Sequence, residues 1–312
     1  MRNATTPGTA AINEGPRVLV LLATFNGAQW LDEQLDSILG QHGVRVSILV
    51  ADDGSSDGTV ALVERRLSAQ QSSAILPAAG HRLGAAGNFL RLLRDARMEG
   101  NEFVALADQD DIWQLDRLAR AIEQLRSNAA DGYSSDATAF WPDGRRRLLG
   151  KAFAQCQFDY LFEPAGPGCT YVLGVSLASA IQLELRREPQ RFEGVGYHDW
   201  LVYAFARTHG FRWIIDAVPG VLYRQHAHNE LGANFGPAGV GRRWRRLTSG
   251  WFRGQVLQIA KLWPGAHDHL AERLARFELR DRLSLVVAAR KCRRRPRDQL
   301  ALAAMLLLHV LR

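Results

Sequence analysis

The sequence predicts an α/β fold: an open, mostly parallel sheet with helices on both faces, followed by a C-terminal helical extension. Three observations carry this. Short continuous apolar runs alternate with amphipathic segments from Arg17 to Trp113, and the runs end in polar or acidic residues. At 312 residues and 47% hydrophobic, the chain can also bury a full core. With 23% charged residues it reads as globular rather than disordered.

The elements follow in order. Arg17-Val18-Leu19-Val20-Leu21-Leu22-Ala23-Thr24 is apolar throughout its interior, as expected of a strand buried on both faces. Phe25-Asn26-Gly27 breaks it. Trp30, Leu31, Leu35, Ile38 and Leu39 then fall at helical spacing, with Asp32, Glu33 and Asp36 between them. A second strand spans Val44 to Ala51 and ends in Asp52-Asp53-Gly54-Ser55-Ser56-Asp57-Gly58. A helix from about Thr59 to Gln70 comes next, capped by Ser56 or Asp57. A weaker strand at Ser73 to Leu76, a turn with Gly80, Gly84 and Gly87, and a helix from about Asn88 to Arg97 lead to a fourth strand at Phe103 to Ala107. In open α/β sheets, ligands sit beyond the carboxyl ends of the strands. Thr24 to Asn26, Asp52-Asp53 and Asp108 to Asp111 all fall at those ends.

After Trp113 the alternation loosens. A helix covers about Leu115 to Asn128, and a Gly- and Pro-punctuated region follows, including Pro164-Ala165-Gly166-Pro167-Gly168. Cys169 to Ala180 is apolar, Tyr197-His198-Asp199-Trp200 opens a helix, and Phe211 to Ile215 and Val218 to Tyr223 read as strands. From Arg242 onward the chain reads as helices. The expected organisation is a segment 1–16 without order, two halves of one domain at 17–114 and 115–233, and a basic helical extension at 234–312.

Composition narrows the function classes. Three cysteines, Cys156, Cys169 and Cys292, show no Cys-x-x-Cys spacing, so neither a zinc ribbon nor a disulfide framework is indicated. With no secretory signal near Met1, a reducing cytoplasm is the expected location. The net charge of +7 is concentrated in Arg242 to Arg246 and in Arg290 to Arg297. Such patches suit nucleic acid, anionic lipid or phosphorylated substrates, or are solvated helix faces.

Ala107-Asp108-Gln109-Asp110-Asp111-Ile112-Trp113 carries the most chemistry. A strand ending in a carboxylate cluster presents hard oxygen ligands, which suit Mg2+ or Mn2+ and a shared phosphate shell. A lone Asp-x-Asp is more often a solvated turn, but the second acidic turn at Asp52-Asp53 strengthens the ligand reading. That second turn approximates a calcium loop, yet a β-branched apolar run enters it where a helix is needed, so calcium is rejected. No Gly-x-x-x-x-Gly-Lys is present, and no Gly-x-Gly-x-x-Gly follows the first strand, which weighs against P-loop and dinucleotide chemistry. Asp52 and Asp53 can instead hydrogen-bond a base or ribose. His226 and His228 are ordinary polar residues or metal ligands, with one histidine joining an Asp-bound metal more plausible than a zinc site. Asp199 reads equally as a helix cap or a general base.

Taken together and in order, these motifs resemble family 2 glycosyltransferases of the GT-A fold, in particular the bacterial branch that includes rhamnosyltransferases. Leu22 to Gly27, Asp52 to Thr59, Ala107 to Trp113, Gly168-Cys169-Thr170, His198-Asp199-Trp200 and Tyr223-Arg224-Gln225-His226 carry the likeness, over roughly Arg17 to Ala233. The resemblance implies inverting transfer from a nucleotide-diphosphate sugar donor. By position, Thr24 and Asn26 line the nucleotide pocket with Asp52, and Asp53 contacts base or ribose. Asp108 and Asp110 form the Asp-x-Asp motif, with Asp110 the direct ligand of Mg2+ or Mn2+ and His226 an added contact. Asp199 matches the catalytic base. Asp111, Trp113, Cys169, Thr170, His198 and Trp200 are placed near the donor sugar or acceptor.

Arg82-Leu83-Gly84 and Ala227-His228-Asn229 depart from the family pattern, and Ser134 to Trp141 match it poorly. These departures bear on specificity. The expected donor is dTDP-L-rhamnose, with UDP- or GDP-hexoses as alternatives, and the acceptor a glycan or lipid-linked sugar in cell-surface polysaccharide synthesis. The basic tail, Trp244, Trp251 and the apolar Leu300 to Leu311 segment suggest peripheral attachment to an anionic inner membrane face. A nucleic-acid-binding role for the arginines leaves the acidic strand ends unexplained, so no specific nucleic-acid partner is expected.

Overall fold

A computed structural model describes residues 15–226 and 248–311 apart from 69, 71 and 72. Arg242 to Arg246, His228 and the segment before residue 15 lie outside the described residues. The first half reads β1 (Arg17–Thr24), α1 (Ala28–Leu39), β2 (Arg45–Asp52), α2 (Thr59–Leu67), β3 (Ala74–Ile75), α3 (Gly84–Asp95), β4 (Phe103–Ala107) and β5 (Ile112–Trp113). The second half continues through α4 (Arg117–Ser127), β6 (Gly132–Ser135), β7 (Ala137–Phe140), β8 (Arg146–Leu149), β9 (Val172–Gly174), α5 (Val175–Arg187), α6 (His198–Thr208), β10 (Trp213–Asp216) and β11 (Val221–Arg224). Helices α7 (Trp251–Leu262), α8 (Asp268–Arg276), α9 (Leu279–Cys292) and α10 (Pro296–Leu307) follow.

The main sheet has the order β10-β6-β9-β4-β1-β2-β3. All neighbouring pairs are parallel except those of β9, which runs against both β4 and β6. A second sheet, β5-β11-β7-β8, lies beside the strand ends. Side chains alternate across the main sheet, as the two-residue period of a strand requires. Val18, Val20 and Leu22 face α1, α2 and α4, joining Leu31, Leu35, Val63 and Leu118. Leu19, Leu21, Val104 and Leu106 face the opposite way, onto Phe89 of α3 and Leu177 of α5.

That second core does not stop at the sheet. Val256 and Ile259 of α7, Leu270 of α8, Leu285 of α9 and Leu302 of α10 belong to the same cluster as Tyr160, Trp200 and Phe205. A buried polar tie reinforces the joint: Arg294, between α9 and α10, pairs with Asp159 at 3.1 Å and with Glu163 at 3.6 Å.

Three expectations shift. The α3 helix begins at Gly84 rather than near Asn88, because the Asp53 carboxylate accepts the Leu83 and Gly84 N–H groups and so starts the helix early. The α2 helix ends at Leu67, and Gly58 occupies its N-terminal boundary position, while Asp57 Oδ1 accepts the Thr59 N–H at 3.1 Å. Ser134 to Trp141, a poor match by sequence, forms the end of β6 and all of β7, where cross-strand pairing replaces any strong apolar signal.

Candidate active site

The parallel register places the chemistry. Thr24 lies opposite Asp52 and Leu22 opposite Ala107, so the residues that follow β1, β2 and β4 emerge side by side. They open onto a cavity of about 980 Å³. Its walls include Thr24, Asn26, Asp53, Asp108, Asp110, His198, Asp199 and His226.

The β1 turn is tightly held. Thr24 Oγ1 donates to Asp52 Oδ2 at 2.8 Å, and Asp52 Oδ1 accepts the N–H groups of Gly54 and Ser55. Asp52 does not line the cavity; its oxygens hold the turn. Asn26 adopts a left-handed φ of 46° and accepts the Ser56 N–H at 2.9 Å. Gln109, which the sequence did not single out, clamps Phe25 from both sides: its Oε1 accepts the Phe25 N–H and its Nε2 donates to the Phe25 carbonyl, each at 2.8 Å. A Cβ on Gly27 would lie 2.1 Å from Gln109 Oε1, so only glycine permits this clamp. Arg82 stacks over Phe25 at 3.7 Å.

At the end of β4, His226 Nε2 and Asp110 Oδ2 are 2.7 Å apart although 116 residues separate them. The imidazole stacks on Trp30 with centroids 4.0 Å apart. Arg224 supports the pair from behind, donating to the Asp110 carbonyl at 2.8 Å and pairing with Glu33. The carboxylates of Asp108 and Asp110 are hard oxygen donors of the kind Mg2+ or Mn2+ takes, and both line the cavity with His226.

Asp111 differs from its neighbours. It is fully buried, with Oδ1 accepting the Arg224 N–H at 3.1 Å and Oδ2 without a partner among the described residues. Burial, then the nearby Asp110 charge, push it up to about 8. Asp108, Asp111 and Cys169 offer ligand atoms within 4.8 Å of one another. Burial holds the Cys169 thiol well above its ordinary range, so it stays protonated, and this trio suits a hydrogen-bonded core better than a hard cation.

The expected sugar-side residues divide. Asp199 and His198 line the cavity from the start of α6. Asp199 Oδ1 accepts the Trp200 N–H at 2.7 Å, which fixes the carboxylate. His198 stacks on Phe89 at 3.8 Å, and burial drives it down to about 3, so it is neutral at working pH. A Cβ on Gly168 would meet His198 Nε2 at 2.5 Å. Asp111, Trp113, Cys169, Thr170 and Trp200, by contrast, lie behind the wall. Trp113 stacks under Arg117 at 3.6 Å, Thr170 donates to the Pro167 carbonyl, and Trp200 donates to the Tyr160 carbonyl. None of these five side chains lines the cavity.

Four further cations line the cavity: Arg295 and Arg297, from the basic patch at Arg290 to Arg297, and Arg147 and Lys151, which had no signal as site residues in the sequence. Only folding brings these two segments together.

This chain is similar to known proteins over most of its length. It is 37% identical over 290 residues to dTDP-rhamnosyl transferase RfbG of Shigella flexneri, covering 93% of this chain and 100% of that one. S. aureus TarS, solved in complex with UDP-GlcNAc, superposes with a TM-score of 0.59 at 14% identity, covering 94% of this chain and 81% of that chain. Mannosyltransferase PcManGT of Pyrobaculum calidifontis, solved with GDP-Man and Mn2+, gives a TM-score of 0.51 at 22% identity, over 94% of this chain and 81% of that chain. These structures share the GT-A architecture. The family described as Glycosyl transferase family 2 matches residues 19–164, and with the full-length relative it establishes that this chain is a member of glycosyl transferase family 2.

Proposed function

We propose that the protein transfers L-rhamnose, with inversion, from dTDP-L-rhamnose to a glycan or lipid-linked acceptor. The observation that carries this is one cavity walled both by the Asp108, Asp110 and His226 donor set and by the fixed carboxylate of Asp199. The likeness to a dTDP-rhamnosyl transferase supports the donor, and the Mn2+ bound by the mannosyltransferase of the same fold supports a divalent cation.

Residues 17–114 bind the donor in this reading, and residues 115–233 bind the acceptor. Asp110, Asp108 and His226 hold Mg2+ or Mn2+, which supplies neutralisation of the charge developing on the nucleoside diphosphate. Thr24, Asn26 and Asp53 shape the nucleotide side, with Asp53 also fixed by two backbone amides. Asp199 accepts the proton of the attacking acceptor hydroxyl, and the hydroxyl oxygen displaces the nucleotide in one step. Neutral His198, unable to compete as an acid, positions the start of α6 against Phe89.

The test is Asp199→Asn. It should keep donor affinity while lowering transfer by about 10²- to 10⁴-fold, as expected for loss of a general base. Retained turnover would remove Asp199 from the chemistry.

Membrane attachment rests on a different observation. No helix among the described residues is long and apolar enough to cross a membrane. Leu279, Leu283 and Val287, spaced along α9, are nevertheless 62%, 48% and 75% exposed, and Leu300 on α10 is 73% exposed. Such a stripe beside arginines suits an anionic interface in the cytoplasm. Flotation with anionic liposomes should fall when Leu283 and Val287 are replaced by Glu, and equal flotation would sink the idea.

A further inference from the structure

The acidic side of the cavity accounts for a donor and its cation, and leaves the cationic wall without a use. Arg147 reaches it from within β8, Lys151 from just beyond that strand, and Arg295 and Arg297 from the start of α10. These segments are built into the fold. Asp136 Oδ1 accepts the N–H groups of Lys151 and Ala152, at 2.5 and 2.9 Å. Between Arg293 and Arg295, the fully buried Arg294 side chain is tied to Asp159, Glu163 and the Pro164 carbonyl, so the chain that carries Arg295 is pinned to the cavity rim.

Three of these charges, Lys151, Arg295 and Arg297, are poorly matched among the described residues. Among the described residues Arg297 pairs only with its neighbour Asp298, at 3.4 Å, and the guanidinium is largely in solvent. Arg295 makes no ion pair among the described residues and lies 4.9 Å over the Phe153 ring. The Lys151 ammonium likewise makes no ion pair or side-chain hydrogen bond among the described residues, and burial pushes it below its ordinary range. The Glu163 carboxylate, already paired with Arg294 at 3.6 Å, offsets this desolvation only in part, and an anion placed beside the ammonium would favour its charged form.

We propose that Lys151 and Arg295, with Arg147 and Arg297, form a subsite that binds an oxyanion of the acceptor, a phosphate or a carboxylate. This rests on reading the cavity as a sugar-transfer site. It makes an anionic group on the acceptor a condition of good binding, and it gives the C-terminal extension a direct part in acceptor choice. The excess of arginine near residue 295 then has a use beyond surface charge.

The full-length protein, saturated with dTDP and Mn2+ to fill the donor side, is titrated calorimetrically with phenyl phosphate, glucuronate and neutral methyl rhamnoside. The same titrations are run without dTDP, so that failure of donor binding is separable from failure of anion binding. At least one anion should bind more tightly than the neutral sugar. Lys151→Gln with Arg295→Gln should weaken that anion by about tenfold or more, the scale of charge-assisted hydrogen bonds, and leave dTDP affinity unchanged. Preference for phenyl phosphate identifies a phosphorylated acceptor, and preference for glucuronate an acidic sugar. Binding of dTDP with no anion binding would overturn the proposal. So would anion affinity indifferent to the substitutions, or a matching loss of dTDP affinity, which would assign the wall to the donor. Arg295→Gln alone, on the half-buried rim, provides the readout if the double variant melts early.

Discussion

The two sides of the cavity are made in opposite ways. The acidic side comes from the ends of adjacent parallel strands, so Thr24, Asp53 and Asp108 are neighbours because β1, β2 and β4 are neighbours. Its side chains are mostly engaged with backbone amides and with each other. The basic side is assembled from two segments more than a hundred residues apart in sequence, and the chain at Lys151 and at Arg295 is held in place by Asp136 and by the buried Arg294 pairs. A strand-end site follows from the sheet itself. A wall built from a loop and a C-terminal tail exists only if the tail docks.

Breaking the dock should therefore have the largest effect. Arg294→Met leaves Asp159 and Glu163 buried with less compensation, and loss of one partner from such a cluster costs about 3–5 kcal/mol. Arg207 still pairs with Asp159 at 2.8 Å, which places the loss toward the lower end. Denaturant unfolding would measure it. An unchanged midpoint would mean that the extension docks through its apolar core alone.

A smaller, pH-dependent effect sharpens the contrast on the α6 side. His198 is held at about 3 in the folded chain by burial, against an ordinary value of 6.5. The unfolded chain thus binds the extra proton between these values, and this site's contribution to stability is complete above pH 6.5 and falls as the pH drops toward 3. The slope is up to about 1.4 kcal/mol per pH unit. Melting of wild type and His198→Phe from pH 7 to 5 should show the wild type losing more. Parallel losses would mean that the imidazole is protonated in the fold.

How much of this was legible in the sequence follows from the same division. Alternating apolar runs located β1, β2 and β4 nearly to the residue, because a strand buried on both faces leaves a continuous apolar mark. The carboxylates at their ends were readable for the same reason. Side-chain direction was not: Asp110 faces the cavity while Asp111 turns into the core beside Cys169, and sequence spacing alone gave no means to separate them. Trp113, Thr170 and Trp200 were placed near the sugars by the family resemblance alone, and aromatic and hydroxyl residues serve equally in packing. Gln109 escaped notice since its function is to hold Phe25, a contact across 84 residues. Lys151 escaped for a deeper reason, and the Arg290 to Arg297 patch showed charge but no position: only Asp136 and Arg294 fix the two segments at one rim.

The central claim is that the acidic side is a metal-dependent nucleotide-sugar site, and binding tests it most directly. Calorimetric titration of dTDP-L-rhamnose, beside UDP- and GDP-sugars, would be run with and without Mn2+ on wild type and Asp110→Ala. The account predicts Mn2+-dependent binding of dTDP-L-rhamnose to wild type, lost in Asp110→Ala. Absence of binding by any nucleotide sugar to folded wild type with Mn2+ present, or equal binding to the variant, would contradict it.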